Sequence, residues 1–310
     1  MSPNKLEEFR IYYNHTIHPE LMRMEKKRWR LLRLFFLSFL FVTVVMGLSV
    51  FLDILTVTLF LLIPVGFYMT YLIYQFQKFR STFKPNVMNL VLDFMDNDVN
   101  YGTLKYEEEK FISKKEFLES KIFVTSADEY KGEDYIEGQL GELPFRMCEL
   151  KVKEFSKVRS RLNYVFRGVF MHARLNYDVS GSILILPRAF RQYLTRSIKQ
   201  FNRLGGRNIE NYLDNSDFND IFLTYATEEA PFRKLLYPEL LDAIVEYYDK
   251  TDKEIYMSIL GKEIYIAVTE HKDLMEPFIF QSNVSFDLIR EFFEDVQLMI
   301  QIVAEFDENN

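Results

Sequence analysis

Two long uncharged stretches separated by a single aspartate constrain this chain more than any other feature. Leu34 to Leu52 and Ile54 to Gln77 contain no Asp, Glu, Lys or Arg, and Asp53 stands between them. As α-helices they would span roughly 29 and 36 Å, enough to cross a ~30 Å hydrocarbon layer. Fourteen of the first nineteen residues are Leu, Phe or Val. At about −0.3 to −0.6 kcal/mol each, they favour insertion by roughly 4 to 8 kcal/mol. Asp53 at mid-bilayer would cost about 3 kcal/mol, which places it at the turn of a two-helix hairpin. A buried hairpin in a soluble domain is the alternative, but core helices rarely run so far without a polar face. A cleaved signal peptide does not fit, because about thirty mostly polar residues precede the first run and a second run follows it.

The flanks give an orientation. Lys26, Lys27, Arg28, Arg30 and Arg33 precede the first span, Lys78, Arg80 and Lys84 follow the second, and the turn has no basic residue. The positive-inside rule then puts both termini in the cytoplasm. Trp29, Arg30, Arg33, Asp53, Lys78 and Arg80 are the expected anchor residues, with Tyr68, Tyr71 and Tyr74 as further interfacial aromatics. Pro64 and Gly66 predict a kink in the second span. Neither span holds an ionisable group, which argues against a proton relay or ion path through the hairpin.

Charge divides the chain in the same place. Residues 1–84 carry a net +6 and the remainder −13, giving −7 overall. An acidic body argues against a nucleic-acid binder. One cysteine excludes a disulfide framework and a multi-thiolate metal centre. The expected organisation is an amphipathic helix over 1–30, a transmembrane hairpin over 31–78 (spans about 31–52 and 54–77), a helical connector over 79–119, and an α+β domain over 120–310. Leu6, Phe9, Tyr13, Ile17, Leu21 and Met24 recur every three to four residues. They give the first segment one apolar face, which could lie on the lipid surface or pack against the soluble body; its mixed charges favour the second.

Lys84-Pro85 marks the expected helix exit, Asn86 to Phe94 a short helix, and the stretch with Gly102 a connector. From Ser120 the period changes. Lys121–Thr125, Tyr135–Gln139, Phe145–Val152, Tyr164–Leu175 and Ser182–Leu186 read as antiparallel strands between turn signals. Arg188 to Leu204 reads as a helix stopped by Gly205-Gly206. Asp220–Tyr225 reads as a strand, and Pro238 opens a helix through Tyr248. Ile255–Ile259 and Glu263–Val268 flank Leu260-Gly261-Lys262 as a hairpin, and Phe286, Ile289, Phe293, Val296, Ile300 and Val303 mark a terminal helix. The class is α+β: a mostly antiparallel sheet with covering helices, the alternative being a split barrel closed by the C-terminal helix.

Several segments resemble a family. They are Phe9-Arg10-Ile11-Tyr12-Tyr13, Phe83-Lys84-Pro85, Glu133-Asp134-Tyr135-Ile136-Glu137-Gly138, Val165-Phe166-Arg167-Gly168-Val169-Phe170 and Phe218-Asn219-Asp220-Ile221-Phe222-Leu223-Thr224-Tyr225. Together the chain resembles a bacterial family of membrane-anchored proteins catalogued only as a domain of unknown function, some members being encoded near LemA-type membrane proteins. The resemblance implies a bacterial inner-membrane location and a membrane-protein partner, LemA-type among them, but no activity. It also singles out Glu133, Asp134, Tyr135, Gly138, Gly168 and Tyr225 without giving them a role. Ala230-Pro231-Phe232-Arg233 departs from the family's Ala-Arg-Tyr-like step.

Candidate chemistry is sparse. His15, His18 and Glu20 could share a helix face, but no second cluster completes a metal site. His172 is expected to be a structural or solvated strand histidine, the alternative being projection from the sheet towards a cleft, and His271 a solvated turn residue. Cys148 is expected to be a buried apolar residue. Ser180-Gly181-Ser182 lacks a strand–elbow–helix context, and Gly205-Gly206-Arg207 is a helix stop rather than a phosphate loop. Asp128 to Asp134 reads as a solvated turn without the ligand alternation of a calcium loop. Asn14-His15-Thr16 and Asn283-Val284-Ser285 match glycosylation sequons that a cytoplasmic placement makes irrelevant. Arg188, Arg191, Lys199 and Arg203 form the candidate lipid or partner surface, with Phe190, Leu194, Ile198 and Phe201 turned to the core. No cofactor and no nucleic acid is expected. The partners are the bilayer, a membrane protein and, as an open option, a second copy of the chain. The leading expectation is a non-catalytic membrane-tethered adaptor, assembly factor or subunit of a membrane complex. A membrane-anchored hydrolase and an anionic-lipid sensor are the alternatives. A topology reporter fused after residue 310 is expected to be active only in its cytoplasmic form; activity of a periplasm-dependent reporter there would reverse the orientation.

Overall fold

The computed structural model describes residues 3–96, 104–189, 191–272 and 275–308. Helix α1 (Pro3–Tyr12) passes through a π-helical turn (Tyr13–Ile17) into α2 (His18–Phe51), and α3 covers Leu55–Asp96. Then follow β1 (Lys105–Glu107), α4 (Lys114–Glu119), β2 (Glu129–Leu140), β3 (Leu143–Ser156), β4 (Arg161–Arg174) and β5 (Ser182–Pro187). Next come α5 (Gln192–Arg203), β6 (Arg207–Asn208), α6 (Ser216–Ile221), β7 (Phe222–Ala226), α7 (Phe232–Leu235) and α8 (Pro238–Thr251). The chain closes with β8 (Ile255–Leu260), β9 (Glu263–Thr269) and α9 (Phe286–Glu308). Two compact units result, one from residues 3–94 with 275–290, the other from 95–272 with 291–308.

In the helical unit Asp53 sits at the turn between α2 and α3, in the left-handed conformation with φ 55°, which a short polar side chain tolerates. Lys5–Phe51 and Thr58–Asp96 are long and apolar enough to cross a membrane, and only 6% and 11% of their most apolar windows is buried. A core helix of a soluble protein would bury most of that surface. The outward side chains include Phe51, Phe60, Leu61 and Phe67, each at least 70% exposed. The flanking Trp29, Arg30, Arg33 and Lys78 are exposed, and Arg80 pairs with Glu276 at 3.1 Å.

Outside the apolar windows the same unit is well packed. Phe9, Tyr13, Ile17 and Leu21 are buried; Phe9 meets Phe94 at 5.1 Å and Tyr13 meets Phe286 at 5.0 Å. The N-terminal amphipathic face therefore packs on protein. Arg28 is buried, paired with Glu25, and donates to the Ile279 carbonyl at 2.5 Å. The expected break at Lys84-Pro85 does not occur, because α3 continues through Pro85 to Asp96. A proline inside a helix costs about 3 kcal/mol. Beyond it Val87, Met88, Val91 and Leu92 are buried, and burying four such side chains outweighs that cost. Helices α2 and α3 thus run unbroken past residues 30, 78 and 85.

In the α+β unit the strands described form one open antiparallel sheet of nine, in the order β1-β2-β3-β4-β9-β8-β5-β7-β6. The split barrel is not formed. Lys121–Thr125 is not a strand either. Ile122 and Phe123 are buried, and Ser197 Oγ accepts from the Val124 amide at 3.2 Å and donates to the Ile122 carbonyl at 2.7 Å. A helix side chain here serves the backbone as a neighbouring strand would, so apolar character does not imply a ladder. The acidic run from Asp128 opens β2 instead of forming a solvated turn, and Asp134 is buried at a bulge between Glu133 and Ile136 with φ 59°. Helix α5 begins at Gln192, so Arg188 precedes it and Arg191 is its N-cap. Phe190 and Gly102 lie outside the described residues.

Both faces of the sheet are covered. Cys148, Leu150, Phe166, Phe170, Tyr256 and Tyr265 share a core with Phe117, Phe123, Leu194 and Phe201. Residues of the opposite parity, Val169, Met171, Ile183, Ile185, Met257 and Ile266, are equally buried, and α8 and α9 bring the apolar stripes able to cover them. Tyr247 of α8 donates to Asp295 of α9 at 2.5 Å. Lys253 Nζ lies 2.7 Å from Asp295, 2.6 Å from Glu270 and 3.1 Å from Glu291. Burial raises the Asp295 carboxyl to about 6, against the pull of Lys253. Lys253→Met would strand buried carboxylates and is expected to cost about 3–5 kcal/mol near neutral pH. Removing Lys253 takes away the pull that lowers the Asp295 carboxyl, so in the variant its folded pKa lies above the parent's value of about 6. Because the native state then holds the proton more tightly than the unfolded chain, the variant should regain stability as pH falls, starting above 6. Chemical denaturation of the full chain in detergent, followed by circular dichroism, reads both effects.

Candidate functional site

A cleft of about 700 Å³ opens at the end of β2, β3, β4 and β9, lined by Lys105, Tyr135, Glu137, Arg146, His172 and Glu263 among others. Strand pairing builds it. Arg146 of β3 stands opposite His172 of β4, which stands opposite Tyr265 of β9, and alternation puts all three on the face that carries Phe170. Glu263 lies two residues before Tyr265 on the same face. Glu116 arrives from α4, whose first turn is set by Ser113 accepting from the Glu116 amide at 3.3 Å.

These side chains converge on the imidazole. Glu116 Oε1 is 2.5 Å from His172 Nδ1, and Glu263 Oε2 is 2.6 Å from Nε2. Tyr265 stacks on the ring at 4.5 Å between centroids. Arg146 Nε lies 2.7 Å from Glu116 Oε1 and 3.2 Å from Nδ1. A carboxylate only accepts, so the guanidinium donates to Glu116; Nδ1 has both that carboxylate and the Arg146 donor within hydrogen-bond distance, and its role follows the tautomer of the ring. Arg174 stands 3.5 Å from Glu263. At the mouth, Lys110 Nζ sits 4.0 Å from the Tyr135 ring centre and 2.7 Å from Glu107. Burial, then the hydrogen bond to Glu137, push the Tyr135 hydroxyl above its ordinary pKa. The lining is a mosaic of fixed cations and carboxylates suited to a polar ligand. Both ring nitrogens of His172 are already engaged by neighbouring side chains, which opposes its use as a free general base. The described lining residues include no Ser, Thr or Cys.

The other sequence candidates fall elsewhere. Oxygens of Glu133, Asp134 and Glu149 lie within 4.8 Å of one another. Lys151 is 2.9 Å from Glu133 and 3.3 Å from Glu149, and the Tyr106 hydroxyl donates to Asp134 at 2.7 Å. Gly138 and Gly168 serve close packing: an added Cβ would come within 2.4 Å of Leu104 Cδ2 and 2.0 Å of the Val268 carbonyl oxygen, respectively. Tyr225 on β7 packs against the core. Arg188 pairs with Glu210 at 2.8 Å, Arg191 with Glu254 at 2.5 Å, and Arg196 with Glu154 at 2.7 Å. Lys199 and Arg203 are exposed. Cys148 is buried, and burial raises its thiol far above the ordinary range. Sequence reading missed Glu116, Arg146, Glu263 and Tyr265, which come from three separate segments. For Arg146, Glu263 and Tyr265 the one signal was their shared strand parity; Glu116, on α4, carried none.

A family model described as "Protein of unknown function (DUF3137)" matches residues 164–308, from β4 into α9. That stretch contains the Val165–Phe170 and Phe218–Tyr225 segments; the other motifs lie outside it. No curated protein matches the chain. Among solved structures, the crystal structure of the mycobacterial trehalose monomycolate transport factor A, TtfA, aligns over 63% of this chain and 88% of that one. The identity is 8% and the TM-score 0.30, a likeness too slight to bear on fold or function.

His172→Leu would leave Glu116 and Glu263 without their imidazole partner. It is expected to cost about 1–3 kcal/mol and to speed hydrogen exchange along β4 and β9. Exchange indistinguishable from the parent protein would show that the network does not hold these strands.

Proposed function

We propose that the protein is a membrane-tethered interaction protein of a bacterial inner membrane. In this reading the α2–α3 hairpin spans the bilayer, both termini face the cytoplasm, and the α+β unit acts as an adaptor, assembly factor or subunit of a membrane complex. The observation that carries it is the uncovered apolar surface of the two helices, with Phe51 85% and Phe67 75% exposed. Exposed patches of that extent are unusual on a soluble monomer. Tethering confines the α+β unit beside membrane partners and raises its effective concentration. The His172 cleft supports binding over proton transfer, since neither ring nitrogen is unoccupied. A LemA-type protein is a partner candidate by family resemblance alone.

A membrane-anchored hydrolase is the second reading, favoured by one observation: His172 lies beside Glu263 in a concave site. It requires one carboxylate to release the ring when substrate enters. The lipid-sensing reading of Arg188, Arg191, Lys199 and Arg203 is weaker, because the first two are engaged by Glu210 and Glu254. In-cell crosslinking followed by affinity purification from mildly solubilised membranes tests the main reading. The full chain is expected to retain a stoichiometric membrane protein that a chain truncated after residue 96 loses. Recovery alone or only as a homo-oligomer, where known complexes survive, counts against it.

A further inference from the structure

Strands β3 and β4 outrun their neighbours. β2 pairs with β3 only as far as Glu129↔Lys153, and β9 with β4 only as far as Gly168↔Thr269. Beyond those points β3 and β4 continue as a ladder to Ser156↔Arg161 and close through a four-residue turn. This ribbon exposes apolar side chains: Val158 at its tip is 96% exposed, and Phe155, Leu162 and Tyr164 are 41–54% exposed. Lys157, Arg159 and Arg161 are exposed between them, and residues 155–164 contain no acid. The acids nearest along the chain and against it are committed. Glu154 is held by Arg196 at 2.7 and 2.9 Å, Asp128 accepts from the Phe155 amide at 2.7 Å, and Glu129 pairs with Lys153 at 2.9 Å.

We propose that the β3–β4 ribbon is a second membrane contact, seating Val158, Phe155, Leu162 and Tyr164 among lipid headgroups while Lys157, Arg159 and Arg161 meet anionic phosphates. Magnitude favours a bilayer over a protein partner. A stable protein interface buries about 800 Å² per side, more than a ten-residue ribbon tip supplies. A lipid surface needs only a few inserted apolar side chains with basic neighbours. The proposal rests on the hairpin being membrane-inserted, which keeps such a surface in reach, and it assigns a function to residues outside both the His172 cleft and the Arg188–Arg203 stretch.

The native cysteine is buried, so Val158→Cys can be labelled selectively with an environment-sensitive fluorophore in the full chain. The labelled protein is reconstituted into nanodiscs of phosphatidylcholine alone or with phosphatidylglycerol. The expected result is a severalfold emission increase in the anionic discs, quenched by a lipid-borne nitroxide. High salt and the triple variant K157E/R159E/R161E should abolish it, and a control label at Glu228→Cys should not respond. Equal emission in both discs, or no quenching, overturns the proposal, as does a response that needs an added membrane protein rather than lipid. Carbonate extraction of membranes from expressing cells separates the two readings. Release of the chain there would sink the hairpin reading and this one with it, whereas a silent label in carbonate-resistant protein sinks the ribbon alone.

Discussion

A slip of one residue between β4 and either neighbour would turn Phe166 and Phe170 out of the core and His172 away from its two carboxylates. Strand parity is the constraint on which core, cleft and ribbon all depend. Gly168 pins it. With φ 150° and the Val268 carbonyl oxygen 2.0 Å from where a Cβ would stand, only glycine lets β4 and β9 approach in this register. Side chains on either side then fall into place: Phe166 and Phe170 inward, His172 at the margin opposite Arg146 and Tyr265.

Buried charge is the second organising element, and it is nearly always compensated. Lys253 among Asp295, Glu270 and Glu291 ties the start of β8 to α9, where α8 also docks through Tyr247. In the helical unit Arg28 with Glu25 and the Ile279 carbonyl holds the 275–290 segment in place. Such groups gain little net stability over apolar replacements, but an unpaired one is costly. They therefore discriminate against wrong packings of otherwise interchangeable apolar helices. His172 follows the same logic, with Glu116, Glu263 and Arg146 as its partners, at a place where the network meets solvent.

The molecule's uncovered surfaces differ in kind. The hairpin is apolar along its length. The β3–β4 ribbon alternates apolar and basic side chains, and the His172 cleft is a polar mosaic. The roles proposed for them, a tether, a lipid contact and a ligand or partner site, each use a different one of these surfaces.

Features that depend on local pattern were legible in the chain. The turn at Asp53, the strands from Tyr135 onward, the β8–β9 hairpin, the Gly205-Gly206 stop and the terminal helix follow from charge gaps, periods of 2 and 3.6, and turn residues. Where local preference and packing disagree, packing decided. Pro85 stayed helical because apolar residues beyond it are buried, and Ile122-Phe123 is an irregular core segment because Ser197 takes its backbone polar groups. Asp134 proved to be a buried bulge residue rather than part of a solvated turn. Only tertiary structure brought Glu116, Arg146 and Glu263 to His172 and set Asp295 beside Lys253. Charges far apart in a chain carry no local mark of their partners, and strand order, which selects those partners, is settled by the packing of the whole sheet.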